Sequence, residues 1–125
     1  MSKIAIGSPG GGGTLAPELQ SEADWAETRA HLAQSLRAAW AILARGGSAV
    51  SAVEAAVAVM EDSPHFNAGH GAALTEDGGH ELDASIMDGA TLAAGAVCAV
   101  RAIRNPIRAA RAVMEKSDCV LIAGP

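Results

Sequence analysis

Midway along the 125-residue chain the spacing of the apolar residues changes, and with it the kind of element the chain can form. Up to Asp62 apolar side chains recur every three to four residues, as on an amphipathic helix; from His80 they alternate, as on a strand with one buried face. Trp25, Leu32, Leu36, Ala39 and Leu43 mark a helix over residues 21–45, with Ser21 and Asp24 as an N-terminal capping pair and Gly46-Gly47 as a stop. A second helix is expected over 48–62, carrying Val50, Val53, Val57 and Met60 on one face and ended by Ser63-Pro64. Leu82, Ala84 and Ile86 then alternate with Asp83, Ser85 and Met87 in a strand over 80–87, paired to a short strand at 72–74 through Asp77-Gly78-Gly79.

Asp88-Gly89 turns the chain into a strand over 93–101, and Asn105-Pro106 opens a helix whose inner face is Ile107, Ala110, Val113 and Met114. Residues 118–123 read as a closing strand, and residues 3–6 as an opening one. The order β-α-α-β-β-β-α-β predicts an α+β fold with helices on one face of a sheet. No repeat or linker interrupts it, so residues 1–125 read as one domain or part of one.

Half the residues are apolar, yet there are only one Phe, two Trp and no Tyr, so the core must be built from Ala, Val, Ile and Leu. A net charge of −5, with nine Lys and Arg scattered from Lys3 to Lys116, argues against nucleic acid as a partner. Cys98 and Cys119 form no CxxC pair and sit in apolar runs, so buried free thiols in a reducing compartment are expected. The longest apolar run, residues 90–100, is short of the roughly 20 residues of a membrane span, and no secretory signal is visible. A cytoplasmic, soluble protein without membrane contact is the expectation.

Three stretches invite chemistry. The glycine-rich run from Gly7 to Gly13 matches P-loop spacing at Gly7, Gly12 and Thr14, but Gly13 stands where the phosphate-binding lysine belongs, which argues against a nucleotide. His65, His70, His80, Glu81 and Asp83 have the residue types of a transition-metal site without its spacing. A hard cation suits the third stretch better. The second helix ends near Asp62 with unpaired carbonyls, and the chain curls back through Ser63-Pro64-His65-Phe66-Asn67-Ala68-Gly69, a loop able to aim main-chain oxygens inward. Asn67 reads equally as a turn residue.

Residues 66–89, FNAGHGAALTEDGGHELDASIMDG, resemble the plant-type L-asparaginase/isoaspartyl peptidase family of N-terminal-nucleophile hydrolases. The likeness extends to the opening strand and glycine loop, the AGAV strand, Arg104-Asn105-Pro106 and the Val113-Met114-Glu115 helix. It implies one half of a four-layer αββα sandwich, completed by a β-subunit outside this chain. It further implies a structural sodium ion held by the main-chain oxygens of Met60, Glu61, Ser63, Phe66, Ala68 and His70, with Asn67, Gly10 and Gly11 supporting the active site. The family has His before Gly-Gly where this chain has Ser8-Pro9 before Gly10-Gly11, so the glycine loop is expected to sit or move differently here.

In that family a threonine freed by autocleavage is the nucleophile, with its own α-amine, pKa about 7.7–8, as base. Its hydroxyl attacks the asparagine side-chain amide or a β-aspartyl peptide bond, and water hydrolyses the acyl-enzyme. Thr14, Thr28, Thr75 and Thr91 lack the expected flanking sequence, so no catalytic residue is assigned within this chain. The resemblance thus implies an α-subunit, a partner β-chain beginning with Thr, and an (αβ)2 heterotetramer acting on L-asparagine or β-aspartyl dipeptides. A non-catalytic truncated relative serving as a scaffold or binding module is the second reading.

Overall fold

The computed structural model of the protein describes residues 3–11 and 20–125. Among the described residues three helices and three strands follow in the order α1 (Glu22–Leu43), α2 (Ala49–Glu61), β1 (Leu82–Met87), β2 (Ala94–Val100), α3 (Pro106–Lys116) and β3 (Leu121–Ala123), with a 3₁₀ turn at Gly69–Gly71. The fold class is α+β, as expected.

Local chemistry starts the first two helices where the sequence marks them. The Ser21 hydroxyl accepts the Asp24 N–H at 3.1 Å while the Asp24 carboxylate accepts the Ser21 N–H at 3.1 Å, a complete capping box. The same Ser21 contacts hold the Asp24 carboxyl below the ordinary carboxylate range. Ser48 caps α2 through the Ser51 N–H at 3.1 Å. The two helices meet through Ala39 on one and Ala52 and Ala56 on the other, backed by Ile6, Ile42 and Leu43. Val53, expected on the inner face of α2, is exposed instead. Alanines at the crossing let the two helices approach closely, while Val50 and Val57 pack against the core of the sheet.

The sheet has the order β1-β2-β3, with β1 antiparallel and β3 parallel to β2. Leu82 and Ile86 of β1 and Val97 and Val100 of β2 face Ile107, Ala110 and Val113 of α3, with Ala58 of α2 completing this core. Gly95 allows the contact: a Cβ there would lie 2.3 Å from the Ala110 carbonyl oxygen and 2.4 Å from the Met114 nitrogen. On the other face Asp83, Ser85 and Met87 are exposed, and every residue of β3 is exposed. No helix among the described residues is long and apolar enough to cross a membrane.

Several expectations are corrected. Residues 3–6 form no strand, because a strand needs a ladder partner and none of the described residues pairs with them. Residues 72–74 form no strand either: the Ala73 N–H is donated to the Asn67 side chain at 2.9 Å, away from any ladder. The turn after them does form, with the Thr75 N–H on the Gly79 carbonyl at 2.9 Å and the Gly78 N–H on the Thr75 carbonyl at 2.9 Å. Cys98 is half-buried and Cys119 exposed, so neither is the buried thiol expected. Gly12, Gly13 and Thr14, the second half of the glycine run, lie outside the described residues.

Candidate functional site

The three residues expected to support an active site meet at one place. Gly10 and Gly11 of the opening segment and Asn67 of the loop after α2 line a single cavity of about 760 Å³, walled on its apolar side by Trp25, Leu32 and Phe66. A volume of this order accommodates a small-molecule ligand. Gly10 takes φ +74°, a backbone that L side chains rarely adopt, while a Cβ there would make only ordinary contact with Leu32 and Phe66. Ser8 has its hydroxyl 3.4 Å from the Gly10 nitrogen and 3.8 Å from the Met60 sulfur, which ties the glycine segment to the end of α2.

Asn67 does two things at once. Its side-chain oxygen accepts the Ala73 N–H and so closes the loop. Its amide nitrogen takes no protein partner among the described residues, which leaves a donor at the cavity. Both readings of this residue, turn former and site residue, are therefore compatible with one conformation.

Of the six main-chain oxygens named by the resemblance, those of Met60 and Glu61 end α2 and the other four belong to the loop that follows. The Met60, Phe66 and Ala68 carbonyls accept the Ser63, Ala68 and Gly71 N–H groups at 3.1, 2.8 and 3.1 Å. Each such oxygen keeps a second lone pair. Gly69, at φ +50°, and Gly71 permit the fold: a Cβ on either would lie 2.3 Å from the carbonyl oxygen of Glu61 or Phe66. Main-chain oxygens are the donor type that a hard cation takes. Among the described residues no cluster of His, Cys, Asp and Glu could hold a metal ion, and His65, His70, His80, Glu81 and Asp83 form none.

The loop is held from outside by side chains, among them Glu27 and His31, which the sequence reading did not single out. The buried Ser63 hydroxyl lies 2.7 Å from His31 Nδ1 on α1 and accepts the His65 N–H at 3.2 Å. His65 Nε2 lies 3.1 Å from the Glu27 carboxylate, and the two imidazoles stack edge to face at 5.0 Å. The spacing of Glu27 and His31, one helical turn apart on α1, was the available signal. On the far side Glu61 is buried, and its Oε1 accepts the Ile107 N–H at 2.9 Å. Glu61 Oε2 has no partner among the described residues, and burial pushes this carboxyl above its ordinary range. Asp62 accepts from Arg104 at 3.0 Å and from the Asn105 amide at 3.2 Å, and the Arg104 contact holds its carboxyl low. Asn105 therefore spends its side chain on α2, and Glu61 caps α3 in its place.

Helices on one face of a mixed sheet, with a glycine segment and an asparagine loop lining one cavity, make this an α+β chain with a candidate small-molecule site. A family model described as asparaginase matches residues 2–125. The isoaspartyl peptidase/L-asparaginase of Rattus norvegicus is 45% identical over 127 residues, covering 99% of this chain and 36% of that protein. That of Bos taurus is 63% identical over 76 residues, 61% of this chain and 25% of the relative. The plant-type L-asparaginase of Pyrococcus abyssi (strain GE5 / Orsay) is 46% identical over 121 residues, 97% of this chain and 38% of the relative. The chain belongs to the asparaginase family of hydrolases. It spans between a quarter and two-fifths of the length of these relatives.

Proposed function

We propose that this chain is the α-subunit portion of an isoaspartyl peptidase/L-asparaginase, hydrolysing β-aspartyl peptide bonds and the asparagine side-chain amide. The observation that carries the reading is the convergence of Gly10, Gly11 and Asn67 on one cavity, within a chain whose relatives bear that name. The nucleophile is an N-terminal threonine of a β-chain, exposed by autocleavage, and residues 1–125 form one half of a four-layer αββα sandwich in an (αβ)2 assembly. Exposed Met87, Leu121 and Ile122 on the sheet are consistent with a face that the remaining protein covers. The enzyme acts in the cytoplasm.

The chain's own residues position the substrate. The free amide nitrogen of Asn67 offers a hydrogen bond at the cavity, where charge develops on the attacked carbonyl. Met60, Glu61, Ser63, Phe66, Ala68 and His70 hold a structural sodium through their main-chain oxygens. Bound there, the ion supplies fixed positive charge that stiffens the loop carrying Asn67, with no part in bond breaking.

The test is ammonia release from L-asparagine and aspartate release from a β-aspartyl dipeptide by the full-length protein. Asn67→Ala should keep the fold and lower kcat by about ten-fold or more, the worth of one hydrogen bond to a charged centre. Unchanged turnover in that variant would reduce Asn67 to a turn residue.

A further inference from the structure

The cavity that holds Asn67 contains one polar group with no assigned task. Thr28 donates its hydroxyl to the Asp24 carbonyl at 2.8 Å, and His65 is paired with Glu27. Arg29, on α1, also lines the cavity. Its guanidinium carries a permanent charge in a planar fork of donors. Arg101, Arg104 and Arg111 each hold a carboxylate, from Glu81, Asp62 and Glu54. Arg29 holds none among the described residues, and no Asp or Glu lines the cavity with it. Arg29 is exposed on α1, and its permanent charge beside the apolar walls of Trp25, Leu32, Val57 and Phe66 can receive an anionic group.

We infer that Arg29 binds the carboxylate of the leaving amino acid, which makes it a specificity-determining residue for β-aspartyl dipeptides; the inference rests on the hydrolase reading above. Attack by the threonine hydroxyl forms a C–O bond at the β-carbonyl and breaks the C–N bond, and the proton from the hydroxyl passes through the α-amine to the leaving nitrogen. From asparagine the leaving group is ammonia. From a β-aspartyl dipeptide it is an amino acid that carries a second carboxylate, and Arg29 is the cation this cavity offers it. Binding there holds the leaving amine on the side from which it departs, and asparagine gains nothing from the contact.

The experiment measures kcat/KM of the full-length, processed enzyme on β-aspartyl-leucine and on the same dipeptide with its C-terminal carboxylate converted to an amide. The wild-type enzyme should favour the acid by about ten-fold or more, chiefly through KM, as expected for a charge-assisted hydrogen bond. Arg29→Ala should bring the ratio close to one, and Arg29→Lys should retain part of it, keeping the charge without the fork. Equal rates on acid and amide in the wild type, or a preference that survives Arg29→Ala, would overturn the assignment. The wild-type comparison needs no variant to fold. Turnover of L-asparagine by the same preparation separates the two levels: an enzyme that hydrolyses asparagine and the dipeptide but ignores the terminal carboxylate contradicts Arg29 alone. One that hydrolyses neither contradicts the hydrolase reading and this inference with it.

Discussion

Asp83 and Ala99 show how much one side chain can dictate in a strand. The pairing of β1 with β2 slips between Leu82↔Val100 and Ala84↔Val97, so Asp83 faces both Cys98 and Ala99. Ala99 takes φ +55° there, and the Asp83 carboxylate accepts its N–H at 2.8 Å. That bond, with one from the Cys98 thiol, holds the Asp83 carboxyl below its ordinary range, while Asp83 pushes the thiol up. Left-handed backbone costs an alanine about 1 kcal/mol, so Ala99→Gly should raise the urea midpoint by a corresponding amount. A lower midpoint would mean that the bulge depends on the methyl group. A carboxyl whose folded pKa is depressed adds stability above its unfolded value and loses it as pH falls through the folded one. Wild-type Tm should therefore fall relative to that of Asp83→Asn below about pH 4, and parallel curves would exclude the role. The alternation of Leu82, Ala84 and Ile86 is legible in the sequence because it is periodic and local. The bulge is not, because it depends on which residue of β2 meets Asp83.

At the scale of elements the same division holds. Ser21, Ser48 and Asn105-Pro106 announce helix starts through residues within one turn of the boundary, and all three helices begin where those signals stand. The partner that caps α3 is invisible locally: Glu61 reaches the Ile107 N–H from 46 residues away. Glu61→Ala should destabilise the protein by about 2 kcal/mol, because a buried N–H loses its acceptor. Glu61→Gln, which keeps an acceptor and removes a buried charge, should recover most of that in urea unfolding. Equal losses in both variants would show that the carboxylate charge, not the hydrogen bond, holds α3. The strands expected at residues 3–6 and 72–74 fail for a related reason. Extended sequence becomes a strand only where a ladder partner waits, and Asn67 claims the Ala73 N–H first. That Gly10, Gly11 and Asn67 line one cavity is a tertiary fact that spacing alone did not contain.

At the scale of the molecule, helices cover one face of the sheet and β3 stays exposed along its length. Unpaired sheet edges and open apolar positions such as Val120, Leu121 and Ile122 invite association, and the proposed β-chain is the partner that would satisfy them. In the proposed function, catalysis belongs to a threonine freed at the start of a second polypeptide, docked on this one beside Asn67. Intact mass spectrometry of an active, full-length preparation tests it most directly. Two polypeptides are predicted, one containing residues 1–125 and the other beginning with threonine. A single uncleaved chain with full asparagine turnover would contradict it.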